Sequence, residues 1–221
     1  IFVSGEGCYL YDVDGKAYLD TFASLLTTVC GYHRTEVDQD IRAQLDQLEF
    51  FPNYVDTFTV PLIRLAKKLA EIMPGDLSVS FFVNSGSEAN ETAIKMARQY
   101  HWEMGERNRH KILFRRISYH GTTLGGCSMT GIPWFRTYFE PLLIRNCIPT
   151  FAARCYDCEY GLDPDHCDFM CLKMMEEQIL WEGPDSIAAL IMDPLPGSNT
   201  GYPVPREGYI QQVRALCDHY G

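Results

Sequence analysis

The chain has 221 residues, of which 46% are hydrophobic, and a formal net charge of −10 at pH 7. The length and apolar content suffice for one large or two small globular cores, whereas the acidic charge argues against nucleic acid or an anionic membrane as the partner. No apolar stretch approaches the roughly 18–20 residues of a membrane span, and nine scattered cysteines are not typical of a secreted disulfide scaffold, so we expect a reducing, cytoplasmic setting.

The first part of the chain, residues 1–55, is predicted to form a small α+β lobe. Residues 1–20 are typical of a β-meander, with a turn at residues 12–15. Apolar residues then recur at helical spacing, first through residues 35–49 and again through residues 60–73. These patterns predict a β-hairpin and one amphipathic helix in the lobe, and a second amphipathic helix just after it.

From residue 78 onward, short apolar runs alternate with helical periodicity. The predicted elements, in chain order, are a strand at 78–83, a helix at 85–104, a strand at 112–117, a helix at 166–182, a strand at 187–192 and a helix at 205–219. Short apolar strands separated by helices imply a parallel sheet covered on both faces. The predicted fold class is therefore α/β, a mostly parallel sheet in residues 56–221 beside the N-terminal lobe.

The most informative chemical feature is the start of the helix predicted at 85–104. Asn84, Ser85, Gly86 and Ser87 end an apolar run and open that helix, where backbone N–H groups lack intrahelical partners and the helix dipole favours an anion. The glycine allows close approach to the backbone, and the serine hydroxyls add hydrogen-bonding groups. These features suit a phosphate group, although an ordinary N-cap gives the same local pattern.

Polar and aromatic residues also follow the other two predicted strands. Tyr119 and His120 come after the second strand, and Asp193 comes after the third. Ligands of parallel sheets bind outside the carboxyl ends of the strands, and a flat ring there can stack on a heteroaromatic ligand. Ordinary structural roles stay open for all three: a buried tyrosine, a loop histidine that bonds backbone, and an aspartate that starts the turn before Pro194.

The residues at these places resemble one known family. Phe-Val-Asn-Ser-Gly-Ser-Glu-Ala-Asn-Glu at 82–91, Tyr-His-Gly at 119–121, and Ile-Ala-Ala-Leu-Ile-Met-Asp-Pro at 187–194 occur in that family's order, as do the hairpin at 5–20 and the segment 209–221. They resemble the class III aminotransferases that depend on pyridoxal 5′-phosphate (PLP). The resemblance implies the fold type I large domain, an amino donor and a 2-oxo acid acceptor as substrates, and a homodimer or larger homo-oligomer.

The resemblance also implies roles for individual residues. Gly86 and Ser87 match positions that hold the cofactor phosphate, and Tyr119 matches the ring that stacks on the pyridine. The implied cofactor-binding set is completed by Ser85, His120 and Asp193. Relatives usually have Glu where this chain has Asp193, and the shorter side chain puts the usual pairing with an active-site arginine in question.

A substrate pocket is implied by the same resemblance. Leu25 and Leu26 lie in a segment similar to the one that lines the pocket in the family. Leu26 stands where many relatives carry tryptophan, which suggests altered room near the substrate. Phe58 matches a residue that reaches the pocket from the other subunit.

Two catalytic groups of the family have no match in this sequence. PLP chemistry requires a carboxylate that keeps the pyridine nitrogen protonated and a Schiff-base lysine, and in the family both follow the helix predicted at 205–219. None of the chain's lysines matches the catalytic position; they are Lys16, Lys67, Lys68, Lys95, Lys111 and Lys173. Because the chain starts at Ile1 and ends at Gly221, a residue type common just after a helix, we expect the gene product to continue. Because the Schiff-base lysine is missing, we expect this chain alone to be inactive.

Three functions follow as hypotheses. The first is an aminotransferase that carries an amino group between an amino acid or amine and a 2-oxo acid. The second is another reaction of the same family, such as aminomutase, epimerase or decarboxylase chemistry, which is steered by groups downstream. The third is a non-catalytic truncated paralogue or binding module, which the missing lysine favours.

A separate pattern is formed by four cysteines, Cys155-x2-Cys158-x8-Cys167-x3-Cys171. Four thiolates suit tetrahedral zinc, and a Cys-x2-Cys pair is a usual half-site. His166 adds a fifth candidate ligand. The middle gap is shorter than in common zinc patterns, so reduced thiols in a surface excursion are the alternative, and the family resemblance assigns the cluster no role.

Overall fold

The computed structural model describes residues 1–53 and 56–221. The chain divides into two compact units, Ile1–Ser80 and Phe81–Gly221. The domain boundary predicted between residues 55 and 56 adjoins the two undescribed positions and stays a prediction. Among the described residues, no helix combines the length and the apolar character needed to cross a membrane.

The first unit begins with the predicted β-meander. Its strands β1 (Phe2–Glu6), β2 (Tyr9–Asp12) and β3 (Ala17–Leu19) form an antiparallel sheet in the order β1-β2-β3. The Asp12 carboxylate stabilises the turn between β2 and β3 by accepting a hydrogen bond of 2.9 Å from the backbone N–H of Lys16. An aspartate that bonds nearby backbone in this way favours a turn, as the sequence predicts.

The rest of the first unit is a left-handed turn and two helices. Each residue of the segment 23–26 has a positive φ, between 49° and 66°, a conformation that L-residues rarely adopt in succession. The helices are α1 (Thr35–Gln47) and α2 (Val60–Ile72). Both helices were predicted, at residues 35–49 and 60–73.

The second unit is built on a parallel sheet of three strands. Strand β4 (Lys111–Arg115) lies in the middle, between β5 (Cys147–Thr150) and β6 (Ile187–Ile191), and pairs with both in parallel. The sequence predicts β4 and β6, at residues 112–117 and 187–192, because each is a short apolar run between helical segments. The third described strand, β5, was not predicted.

Helices cover both faces of this sheet. They are α3 (Gly86–Glu103), α4 (Leu124–Ser128), α5 (Pro133–Arg136), α6 (Met170–Glu182) and α7 (Tyr209–Tyr220). Phe114 of β4 packs with Ile94 of α3 on one face. Its neighbour Leu113 packs with Met175 of α6 and Leu216 of α7 on the other. Successive strand residues face opposite sides, so a strand covered on both faces has apolar residues at successive positions.

The apolar run predicted as a strand at 78–83 is not one. These residues have no regular secondary structure, and Val79 and Phe81 are 94% and 69% exposed. A strand needs backbone hydrogen bonds to a neighbour, and no described strand pairs with this segment. Composition alone predicted the strand, but composition does not show whether a partner is present.

Two helices begin later than predicted. The helix predicted from residue 166 begins at Met170, because Asp168 and Phe169 have positive φ values of 43° and 51°, which a right-handed helix excludes. The helix predicted from Pro205 begins at Tyr209. Proline suits a first helical turn, but here it lies in irregular chain before the helix.

Candidate functional site

The start of α3 is capped by its own side chains. The Ser85 hydroxyl oxygen accepts from the Glu88 backbone N–H at 3.2 Å, and the Glu88 carboxylate accepts from the Asn84 backbone N–H at 2.7 Å. This reciprocal pair resembles a capping box. Within the described part of the chain, the backbone N–H groups of Gly86 and Ser87 have no partner. Two amides at the positive end of the helix dipole are therefore available to an anion.

The space around this helix start differs on its two sides. A Cβ built on Gly86 meets nothing within 4 Å, so a ligand can approach the backbone there. A Cβ built on Gly121 lies 2.4 Å from the Ser87 hydroxyl oxygen. That hydroxyl accepts from the Thr122 backbone N–H at 3.1 Å, which leaves its own proton for an anion. The loop after β4 thus packs tightly on α3 while the surface over Gly86 stays open.

Two residues of α3 hold the loop in place. The Asn90 side-chain amide donates to the His120 carbonyl oxygen at 2.6 Å. The Glu91 carboxylate accepts from the Gly125 backbone N–H at 2.7 Å. The sequence reasoning assigned neither residue a role, although both belong to the run 82–91 on which the family resemblance rests.

Tyr119 lies in the same loop and is partly exposed. The residue is 40% exposed, and its ring packs against that of Phe135 on α5, with ring centroids 5.2 Å apart. Its backbone N–H donates to the Asp193 carboxylate at 3.2 Å. The ring is therefore supported from within the unit while still accessible to a flat ligand.

His120 is buried beside Tyr119. It is 6% exposed, its Nδ1 lies 3.5 Å from an Asp193 carboxylate oxygen, and its Nε2 has no hydrogen-bond partner among the described residues. Burial lowers the pKa of His120 below its ordinary value of 6.5; the Asp193 carboxylate opposes this shift, and the Arg115 guanidinium adds to it. The ring is consequently neutral at pH 7.

Arg115 attaches the end of β4 to the end of β6. It is 1% exposed, and its guanidinium donates to the backbone carbonyl oxygen of Asp193. Among the described residues, the Asp193 carboxylate forms no ion pair with an arginine and faces Tyr119 and His120 instead. Arg115 was not predicted as a site residue, because an arginine at a strand end usually extends into solvent.

The structure therefore places six predicted residues close to one another in the second unit. They are Ser85, Gly86, Ser87, Tyr119, His120 and Asp193. The expectation that strand ends converge on one place holds for the loops after β4 and β6. The helix start joins them although the segment before it is not a strand.

Replacing Asp193 by asparagine is expected to lower the pKa of His120 further, because the Asp193 carboxylate is the group that raises it against burial. A histidine whose folded-state pKa lies below 6.5 binds its proton more tightly in the unfolded state, so stability is lost as the pH falls from 6.5 toward the folded value. In Asp193→Asn that loss should extend to lower pH.

An NMR titration of the His120 ring measures the shift. Asp218→Asn, which removes a carboxylate paired with Arg214, is the control, and an unchanged pKa in Asp193→Asn would contradict the electrostatic account.

The predicted substrate residues belong to the first unit. Leu25 and Leu26 are exposed and lie in the left-handed turn, with φ values of 59° and 66°. The Asp20 carboxylate stabilises the turn by accepting from the Ala23 backbone N–H at 2.9 Å. Phe58 is also exposed. The pocket role of these three residues stays a prediction.

The four predicted zinc ligands line one cavity of ≈ 20 Å³ in the second unit. All four, Cys155, Cys158, Cys167 and Cys171, are free thiols. Zinc is not supported, because no group of three or more His, Cys, Asp or Glu side chains in the described chain is arranged to hold a metal ion. The Nδ1 atom of His166 lies 3.7 Å from a carboxylate oxygen of Asp163. The prediction failed because spacing along the sequence does not determine the direction of a side chain.

The model of the family described as aminotransferase class-III matches residues 1–221 of this chain. A probable aminotransferase of Mycobacterium tuberculosis is 36% identical, over 100% of this chain and 47% of its own length. The adenosylmethionine-8-amino-7-oxononanoate aminotransferase of Geobacter sulfurreducens is also 36% identical, over 100% of this chain and 48% of its own length. The chain thus spans about half the length of these curated relatives.

Solved structures of transaminases share the fold. A thermostable (S)-enantioselective omega-transaminase from Thermomicrobium roseum matches with a TM-score of 0.93 at 38% identity, over 100% of this chain and 49% of the other. The omega transaminase from Pseudomonas jessenii in complex with PMP matches with a TM-score of 0.93 at 32% identity, over 100% of this chain and 48% of the other. The α/β fold with a parallel sheet is therefore the fold of these enzymes over about half their length.

Proposed function

The chain belongs to the class-III aminotransferase family, and from this premise we propose that the complete protein is a PLP-dependent aminotransferase. It transfers an amino group between an amino acid or amine and a 2-oxo acid. This chain contributes the phosphate-binding and ring-stacking elements of the site. The proposal rests above all on the unpartnered amides and open space at Gly86, beside the accessible ring of Tyr119.

The residues around the start of α3 fit this cofactor. The backbone N–H groups of Gly86 and Ser87 and the proton of the Ser87 hydroxyl would hold the dianionic phosphate. The Tyr119 ring would cover one face of the pyridine. When bound, PLP supplies the electron sink that makes the amino-group transfer chemically accessible.

The surrounding residues would position this site. Asp193 fixes the backbone of Tyr119, and the neutral ring of His120 presents an unpartnered Nε2. Ser85 keeps the helix start in place through its cap on α3. These contacts would hold the ring-covering tyrosine at a constant place relative to the phosphate amides, which is the preorganisation that catalysis requires.

The remaining parts of the enzyme are proposed from its relatives. The lysine and the carboxylate that PLP chemistry needs would come from the half of the relatives' length that this chain does not span. We infer a homodimer or larger homo-oligomer in which Leu25, Leu26 and Phe58 help to line the substrate pocket. The nine free thiols favour a reducing, cytoplasmic setting.

Cofactor retention and product formation test the proposed function. The full-length protein, incubated with PLP and desalted, should keep stoichiometric cofactor and convert an added amino donor into its 2-oxo product in the presence of a 2-oxo acid acceptor. Cofactor retained without a 2-oxo product would favour aminomutase, epimerase or decarboxylase chemistry. Failure to retain the cofactor would favour the non-catalytic binding module.

Tyr119→Ala in the full-length protein should weaken PLP binding by about 1 kcal/mol, or roughly fivefold in Kd, because the ring contact is lost. Tyr119→Phe is the matched control and should bind nearly as well as the unmodified protein, since it keeps the ring and loses only the hydroxyl. Fluorescence titration with PLP measures both constants. Equal losses in the two variants would show that the hydroxyl, and not the ring, contributes the affinity.

A further inference from the structure

The cavity lined by the four cysteines lies apart from the proposed cofactor residues. Its lining includes Cys155, Cys158, Cys167 and Cys171 but none of the residues assigned to the phosphate or to the ring. At ≈ 20 Å³ it holds about one water-sized atom and is too small for an organic ligand. Chemistry at this place therefore involves the thiols themselves.

Two separate segments bring the thiols together. Cys155 and Cys158 lie in irregular chain after β5, two and five positions beyond Ala153. Cys167 and Cys171 flank the first residue of α6. Cys171 packs against the buried cluster that contains Ala153. The segment with Cys155 begins just after Ala153, so it starts next to the same cluster.

Cys171 is poorly suited to react first with an oxidant. Burial raises the pKa of Cys171 to about 11, and the neighbouring thiols of Cys155 and Cys167 act in the same direction. Cys171 therefore stays protonated at neutral pH and is a poor first nucleophile, since the thiolate is the reactive form. Another thiol of the cavity would react first with an oxidant.

We propose that Cys155 and Cys171 form a reversible disulfide when the protein meets a peroxide, joining the chain after β5 to the first turn of α6. The Cys155 thiolate attacks hydrogen peroxide, the O–O bond breaks, and a sulfenic acid and one water form. The Cys171 sulfur then displaces the hydroxyl group and releases its proton, which gives the S–S bond and a second water. The two sulfurs lose two electrons, and the peroxide gains them.

Peptide mapping tests the bridge. The full-length protein is reduced, treated with hydrogen peroxide, alkylated at its remaining thiols and digested without reductant. Trypsin leaves residues 155–173 as one peptide, because no Lys or Arg lies between Arg154 and Lys173. A protease that cuts at Asp or Glu separates the two cysteines and makes the link visible by mass spectrometry.

The expected product is a pair of peptides joined through Cys155 and Cys171, released by dithiothreitol and absent from Cys155→Ser and Cys171→Ser. Cys158→Ser and Cys30→Ser, the second an exposed thiol of the first unit, should still form it. The unmodified protein alone decides the result if a variant fails to fold. Three results would overturn the proposal. They are alkylation of all four cavity thiols after peroxide treatment, a disulfide between Cys155 and Cys158, and stoichiometric zinc bound to the four thiols of the purified protein. Because no activity is measured, the outcome is independent of the proposed enzyme function.

Discussion

Gly121→Ala should destabilise the second unit by about 2–4 kcal/mol and also weaken PLP binding. Gly121 has a φ of +122°, and an added Cβ would lie 2.4 Å from the Ser87 hydroxyl oxygen and 3.1 Å from the Ser87 Cα. An L-residue is strained at this φ, and relief of the contact requires the start of α3 to move. The amides proposed to bind phosphate would move with it.

Chemical denaturation and PLP titration of the full-length protein measure the two effects of Gly121→Ala. Gly197→Ala is the matched control, since its added Cβ meets nothing within 4 Å and its φ is −76°; its stability should change by less than about 0.5 kcal/mol. If Gly121→Ala were as stable as this control, the close packing of the β4 loop on α3 would be incorrect.

Gly86→Leu should separate binding from stability. Since a Cβ at position 86 meets nothing within 4 Å, and glycine is the poorer residue in a helix, the free energy of unfolding should be unchanged or slightly higher. The leucine side chain would occupy the space proposed for the phosphate. We expect PLP affinity to fall at least about tenfold, which corresponds to roughly 1.4 kcal/mol.

The same two measurements decide the Gly86→Leu prediction. Gly86→Ala is the graded control, since a single methyl group fills less of the space and should cost less affinity than leucine does. A loss of stability that matches the loss of affinity would indicate a clash within the protein. Unchanged affinity in Gly86→Leu would place the phosphate elsewhere.

The strands that the sequence predicts correctly are those with partners within the chain. Strand β4 is buried on both faces and β6 is half-buried on both, so the apolar composition of each run reflects its environment. The segment 78–83 has the same composition but no described partner, and β5 was missed because Pro149 within a short run usually argues against a strand. Pro149 is tolerated because β5 is an edge strand of the described sheet.

The site was predictable where local chemistry determines it. A polar turn at a helix start and an aromatic residue after a strand are visible in sequence, and their convergence follows from the geometry of parallel sheets. Arg115 and Asn90 were not predictable, since each acts through a contact to a residue far along the chain. The cysteine spacing predicted a candidate zinc site, which the described residues do not support, because spacing does not determine the orientation of side chains.

The most direct test of phosphate binding at the start of α3 compares the affinities of PLP and of pyridoxal, which lacks the phosphate. Both ligands are titrated against the full-length protein and against its Gly86→Leu variant. The account predicts that the unmodified protein binds PLP much more tightly than pyridoxal and that this preference largely disappears in Gly86→Leu while pyridoxal affinity changes little. A preference for PLP that survives the substitution undiminished would contradict it.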